Sequence, residues 1–249
     1  MRFLLVCIGI AVLHGADPDS LGQAAFQAGN YRDAKKHFEH ALRSAVGDIV
    51  PELSNLGQAC QALGEFARAE QLYRQALDHM PERATLWQLL GAVLFQQHKY
   101  ASAEHALQRA IALPDPRTAA IARNDLAMLL EARGRGPAAL ALLKQAIAAA
   151  PAGQSRARML ANLGNLHLKM DDRAAAVQAF RTSLQEMEIA VGPAHPDVGQ
   201  ILLDYAQALQ KSGNKSEAKR AALRAETIFS AFSAQTNING ATADYRDLR

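Results

Sequence analysis

Cysteine is nearly missing: among 249 residues there are two, Cys7 and Cys60. If an N-terminal leader containing Cys7 is removed, Cys60 stands alone and no internal disulfide can form, so stability must come from packing. The 49% hydrophobic content is ample for that. Charge of one sign is missing as well. The 27 Lys and Arg against 24 Asp and Glu leave +3, spread without a basic block, which speaks against a nucleic-acid or anionic-membrane partner. No segment approaches the roughly 20 apolar residues of a membrane span. CxxC and HExxH spacings are absent too, and with them the common local signatures of zinc sites.

The start, MRFLLVCIGIAVLHGADP, has one Arg, an apolar run from Phe3 to Leu13 and the small residues Gly15 and Ala16. That run is too short to span a bilayer and has the form of a secretory leader. Residues 1–16 are therefore expected to be a signal peptide cut after Ala16, and the product exported to the periplasm or secreted. If the segment stays as an apolar first helix, the protein is cytoplasmic.

What is present is a period. Leu-Gly followed by a glycine seven residues after the first occurs as Leu21-Gly22 with Gly29 and Leu56-Gly57 with Gly64. It continues as Leu90-Gly91 with His98, Leu126-Ala127 with Gly134, Leu163-Gly164 with Asp171, and Tyr205-Ala206 with Gly213. Successive spacings of 35, 34, 36, 37 and 42 residues point to stacked units rather than a closed globule. Within a unit, Leu56, Cys60 and Leu63 form one helical stripe, and Ala69, Tyr73, Ala76 and Leu77 another. Glycine ends the first helix and Pro81, Pro114 or Pro151 stops the second. Small residues such as Gly57 and Ala69 are expected where helices cross, with Phe38, Tyr73, Leu107, Leu143 and Phe180 filling the spaces between. Ala222 departs from this by standing where other units place a large residue.

With Trp87, the residues Tyr31, Phe66 and Tyr100, and the alanines Ala34, Ala69, Ala103, Ala139, Ala176 and Ala218, this pattern resembles a tetratricopeptide repeat protein. The last unit, entered through GPAHPDV, is similar to the longer repeats of kinesin light chains and their bacterial relatives. The resemblance implies an all-α fold, a right-handed superhelical solenoid of about six helix-turn-helix repeats over residues 17–232. Second helices should start near Tyr31, Phe66, Tyr100, Gly136, Arg173 and Lys215. Residues 233–249 lack an apolar period and are expected to be a mobile tail, although Tyr245 and Leu248 could dock on the last repeat.

The resemblance also implies a concave face, lined by first helices, that holds a partner peptide or helix. Asn55, Gln58, Asn124, Asn162 and Asn165 lie beside the Leu-Gly positions and should face it. Asparagine carries both donor and acceptor and can clamp a peptide main chain. Arg158, Asn162, Asn165 and Lys169 form one polar stripe, which suggests a partly basic groove attracting an acidic side chain or C-terminus. The carboxylate clamp of chaperone-binding members cannot be assembled, because Ser54, Asn55 and Gln58 lack the cations. The chain is thus expected to be a non-enzymatic adaptor without cofactor or metal. The alternatives are an assembly factor of an envelope or secretion complex, or a self-associating structural array. His37 and His40 read as surface histidines, while His167 and Cys60 read as members of apolar stripes. GRGPAA, from Gly134 to Ala139, imitates a dinucleotide fingerprint but follows a helix where a strand is needed.

Overall fold

A computed structural model of the chain describes residues 17–238, and these contain helices and no strand. The expected leader, 1–16, lies outside the described residues. Two compact units divide the chain after His98. The first contains α1 (Pro18–Gln27), α2 (Tyr31–Ser44), α3 (Val50–Ala62), α4 (Phe66–His79) and α5 (Ala84–Gln96). The second contains α6 (Tyr100–Ala112), α7 (Pro116–Ala132), α8 (Gly136–Ala149), α9 (Gln154–Lys169), α10 (Arg173–Val191), α11 (Pro196–Lys211) and α12 (Lys215–Ile238). In each unit a helix packs on its successor in chain order, and neighbouring first helices also touch, as α7 with α9 and α9 with α11. The long last spacing is taken up by α10, which runs 19 residues before Gly192 ends it. The expected solenoid end at 232 is passed: α12 continues to Ile238, and the rest of the expected tail lies outside the described residues.

Local chemistry sets the helix boundaries. The side chains of Asp17, Asn30, Asp115 and Asp172 accept a backbone N–H of the first turn that has no helical partner. At the turns after α1, α3, α7, α9 and α11 one residue takes the left-handed conformation, and the next N–H reaches back to close the helix end, as Glu65 does to the Cys60 carbonyl at 2.9 Å. Gly64 has φ of +76° there, and the non-glycine residues His98 and Asp171 adopt +58° and +59° at the same repeat position. The turn geometry is therefore kept where glycine is not.

In the hairpins α1–α2, α3–α4 and α9–α10 the crossing is made by a missing side chain. A Cβ on Gly57 of α3 would stand 2.5 Å from the Tyr73 ring of α4, and one on Gly22 equally close to Phe38. Gly164 meets Phe180 in the same way, at 2.8 Å. Small and large partner are sixteen residues apart each time, and the same register pairs Ala127 with the smaller Leu143. In the last hairpin it pairs Ala206 with Ala222, and a groove of about 400 Å³ opens there, lined by Leu203, Ala206, Ala218 and Ala222 among others. The close crossing moves seven residues outward on both helices, to Gly199 against Phe229 at 2.8 Å. Phe229 thus supplies the aromatic that position 222 lacks.

Polar staples join successive helices where the apolar stripes end. Ser183 Oγ donates to the Ala157 carbonyl at 2.6 Å, and Arg156 holds Glu186 with two nitrogens, joining α9 to α10. Buried Glu70 is paired with Arg74 and accepts from Gln97 Nε2 at 2.7 Å, joining α4 to α5.

Two substitutions separate the causes. Gly57→Ala forces a methyl into a ring and should lower the urea midpoint by the equivalent of about 1–3 kcal/mol. Adding Tyr73→Leu, which copies the Ala127–Leu143 pairing, should recover part of that loss, and strict additivity of the two changes would refute the crossing argument. Gly64→Ala meets nothing within 4 Å. It should still cost roughly 1–2 kcal/mol through the left-handed backbone alone, with no rescue from any neighbouring truncation.

Candidate peptide-binding face

In the second unit the polar stripe of α9 faces its neighbours α7 and α11. Asn162 and Asn165 are half-buried, while Arg158 and Lys169 are exposed at the two ends. Asn162, Asn165 and Lys169 line one cavity of about 200 Å³ together with Met128, Glu131 and Leu166. Its floor is closed by Ala127 and Leu143, the small-for-large pair of the crossing. Asn124, on α7, meets Asn162 directly: Asn162 Nδ2 donates to Asn124 Oδ1 at 2.9 Å. Four of the expected residues are therefore gathered, with Arg158 one turn beyond.

In the first unit Asn55 and Gln58 of α3 line a separate cavity of about 150 Å³ with Gln23, Phe26, Gln27 and Phe38. Asn55 Nδ2 donates to Asp19 Oδ1 on α1 at 2.8 Å. The two bonds are equivalent in the repeat. Asp19 and Asn124 each stand two residues before a Leu-Gly or Leu-Ala pair. Asn55 and Asn162 each stand one residue before the Leu-Gly pair of the following repeat. Both are rungs between successive first helices.

The cations are engaged in the same manner. Lys169 Nζ lies 2.6 Å from Glu131 of α7, and Arg158 lies 2.7 Å from Asp197 of α11. Burial pushes the Asp197 carboxyl upward, but hydrogen bonds from Arg158 and Gln154 outweigh it and hold the group below its ordinary range. Asp204, which accepts from Asn165 and Gln200, is raised instead, because burial there exceeds what two neutral amides return. The expected partly basic groove is thus electrically matched: both of its cations already have carboxylates on adjacent helices. Sequence reasoning missed Asp19, Glu131, Asp197 and Asp204. Their signal was a complementary residue about one period away, 36 to 39 positions along, which a search within single helices does not reach.

The remaining reactive side chains have structural surroundings. Cys60 is fully buried, and burial pushes its thiol up to about 11, far from the thiolate that nucleophilic chemistry needs. His167 is buried with Nδ1 at 3.3 Å from Asp172. Gly134 to Ala139 form the turn after α7 and the start of α8, a setting without the strand of a dinucleotide site. Among the described residues no three His, Cys, Asp or Glu side chains are gathered as metal ligands.

The chain resembles a human protein, the Cell division cycle protein 16 homolog, with 33% identity over 100 residues; these are 37% of the chain but only 16% of that protein. Two solved structures share the fold over 91% of this chain and 94% of their own. BtubC (BKLC) from P. vanneervenii has a TM-score of 0.64 at 19% identity, and PilW, a type IV pilus biogenesis factor, 0.66 at 21%. Four family models, all described as tetratricopeptide repeat, match residues 20–85, 61–123, 120–150 and 155–231. That description does not separate out the kinesin-light-chain variety. With the period, the hairpin turns and the small-against-large crossings, these matches show that the chain belongs to the tetratricopeptide repeat family.

Proposed function

We propose that the protein is a non-enzymatic adaptor that holds a segment of another protein on its first-helix face, with Asn55 and Gln58 contributing in the first unit and Asn124, Arg158, Asn162, Asn165 and Lys169 in the second. The observation that carries this reading is the α9 cavity, where an apolar floor is ringed by carboxamides tied to neighbouring helices. Such a ring is held in place before any ligand arrives, which lowers the ordering cost on the protein's side of the interface. The work done is equilibrium binding. The leader-like residues 1–16 favour export, and with it a partner in the periplasm or outside the cell. The likeness to PilW is one of fold and does not choose between an adaptor and an assembly factor of an envelope complex.

A photoreactive residue in place of Asn162, expressed in the protein's own cell, should crosslink to one defined polypeptide. The same probe at Gln178, exposed on the second helix α10, should not. Unchanged monomer at position 162 under conditions where position 178 does crosslink would place the partner elsewhere. Mass that rises with concentration in light scattering of the purified chain, without a second polypeptide, would favour a self-associating array.

A further inference from the structure

Both cavities present the same kind of atom at the rim. Asn124 Nδ2 donates to Asp125 Oδ1 at 3.1 Å, which turns Asn124 Oδ1 toward Asn162 and obliges Asn162 to meet it with Nδ2. In the first unit the Asp19 carboxylate does this directly, since it can only accept and therefore fixes Asn55 Nδ2 toward itself. Gln58 Nε2 is likewise directed at its own helix, 3.4 Å from the Ser54 carbonyl. The hydrogen bonds of Asn55, Gln58 and Asn162 thus all run through nitrogen, and their carbonyl oxygens remain as acceptors.

Below these oxygens the walls are apolar: Phe26 and Phe38 in one cavity, Met128, Leu143 and Leu166 in the other. No charged side chain lines the first cavity, and the two that line the second, Lys169 and Glu131, are paired with each other. Volumes of about 150 and 200 Å³ fall below the roughly 300 Å³ at which small-molecule sites begin, and suit one large side chain each. Resting on the peptide-binding reading, we propose that each cavity is a socket for a single large uncharged side chain of an extended partner segment, whose backbone N–H donates to the oxygen of Asn162 or Asn55. An extended segment is required because the interior N–H groups of a helix are already bonded. An acidic side chain is disfavoured twice: the freed oxygens of Asn55, Gln58 and Asn162 repel it, and the one cation lining either cavity, Lys169, is already engaged by Glu131. The adaptable thioether of Met128, an exposed residue, lets the socket accept aliphatic or aromatic side chains.

The test uses the whole chain labelled at methionine methyls and side-chain amides for NMR, with the Met128 signal assigned from Met128→Leu. Three capped peptides serve as probes: Gly-Ser-Leu-Ser-Gly, the same with Glu for Leu, and the same with N-methyl-leucine. The Leu peptide should shift Met128 and Asn162 saturably and without salt dependence. The Glu and N-methyl peptides should each bind at least about tenfold more weakly, one for want of a cation and the other for want of the N–H. Tighter, salt-weakened binding of the Glu peptide would overturn the proposal, as would equal binding of the N-methyl peptide. If no peptide shifts Met128 while the crosslink from position 162 still forms, the sockets fail and the binding face stands. If the crosslink is missing too, both readings fall.

Discussion

The structure depends on how closely two helices of one hairpin approach where a side chain is missing. At Gly22, Gly57, Gly164 and Gly199 the opposing aromatic ring occupies the place of a Cβ. This contact fixes the crossing point and rotation of each pair, and so fixes which residues are left for the next hairpin. A hairpin alone cannot bury both sides of Tyr73 or Phe180, which are fully buried here only because neighbours are stacked on them. The shift of the last crossing to Gly199 and Phe229 is informative: the close approach is kept and only its position changes. What must be conserved physically is one small residue against one large one, at any register that keeps the helices in contact.

The same constraint produces the candidate face. With the second helix set by the ring, the residues beside each Leu-Gly pair point toward the neighbouring first helix or toward solvent. Where they reach a neighbour they bond to it, as in Asn162 to Asn124 and Asn55 to Asp19. Exposed ion pairs such as Lys169–Glu131 add little stability singly, because water screens them and two long side chains must be ordered. On the proposed binding reading their larger effect is on recognition, since a cation already facing a carboxylate offers little to an acidic ligand.

The fold class was legible because stacking writes itself into sequence as a period, and because the turn and crossing each demand a particular residue size. Gly64 and Gly57 announce those demands; His98 and Asp171 meet the turn with less favourable residues and are found only through their register. The stripe of Asn162, Asn165 and Lys169 was legible from helical spacing on α9, whereas Asn124 was placed only by its position beside the Leu-Ala pair of its own repeat. The charge state of the face was not, because Arg158 and Lys169 look free within their own helix and find their carboxylates one repeat away. Phe229 was missed for a related reason: the alignment tests one register, and packing was satisfied at another.

In a stacked repeat, then, the neighbour of residue i is found near i+4 and again near one full period. The second neighbour decides which polar atoms the face leaves over, as the bonds from Asn162 to Asn124 and from Asn55 to Asp19 do here. Asp125 shows how far this reaches: it bonds Asn124, which turns its oxygen toward Asn162, which in turn leaves its own oxygen at the cavity rim. A carboxylate that does not line the cavity thereby sets the polarity of an atom that does. Replacing that aspartate would remove the acceptor that fixes Asn124 Nδ2 and free the amide pair to turn over, presenting a donor where an acceptor stood. Ligand preference in such a chain is therefore written in pairs of positions a repeat apart, and residues read one helix at a time show the shape of the site before they show its chemistry.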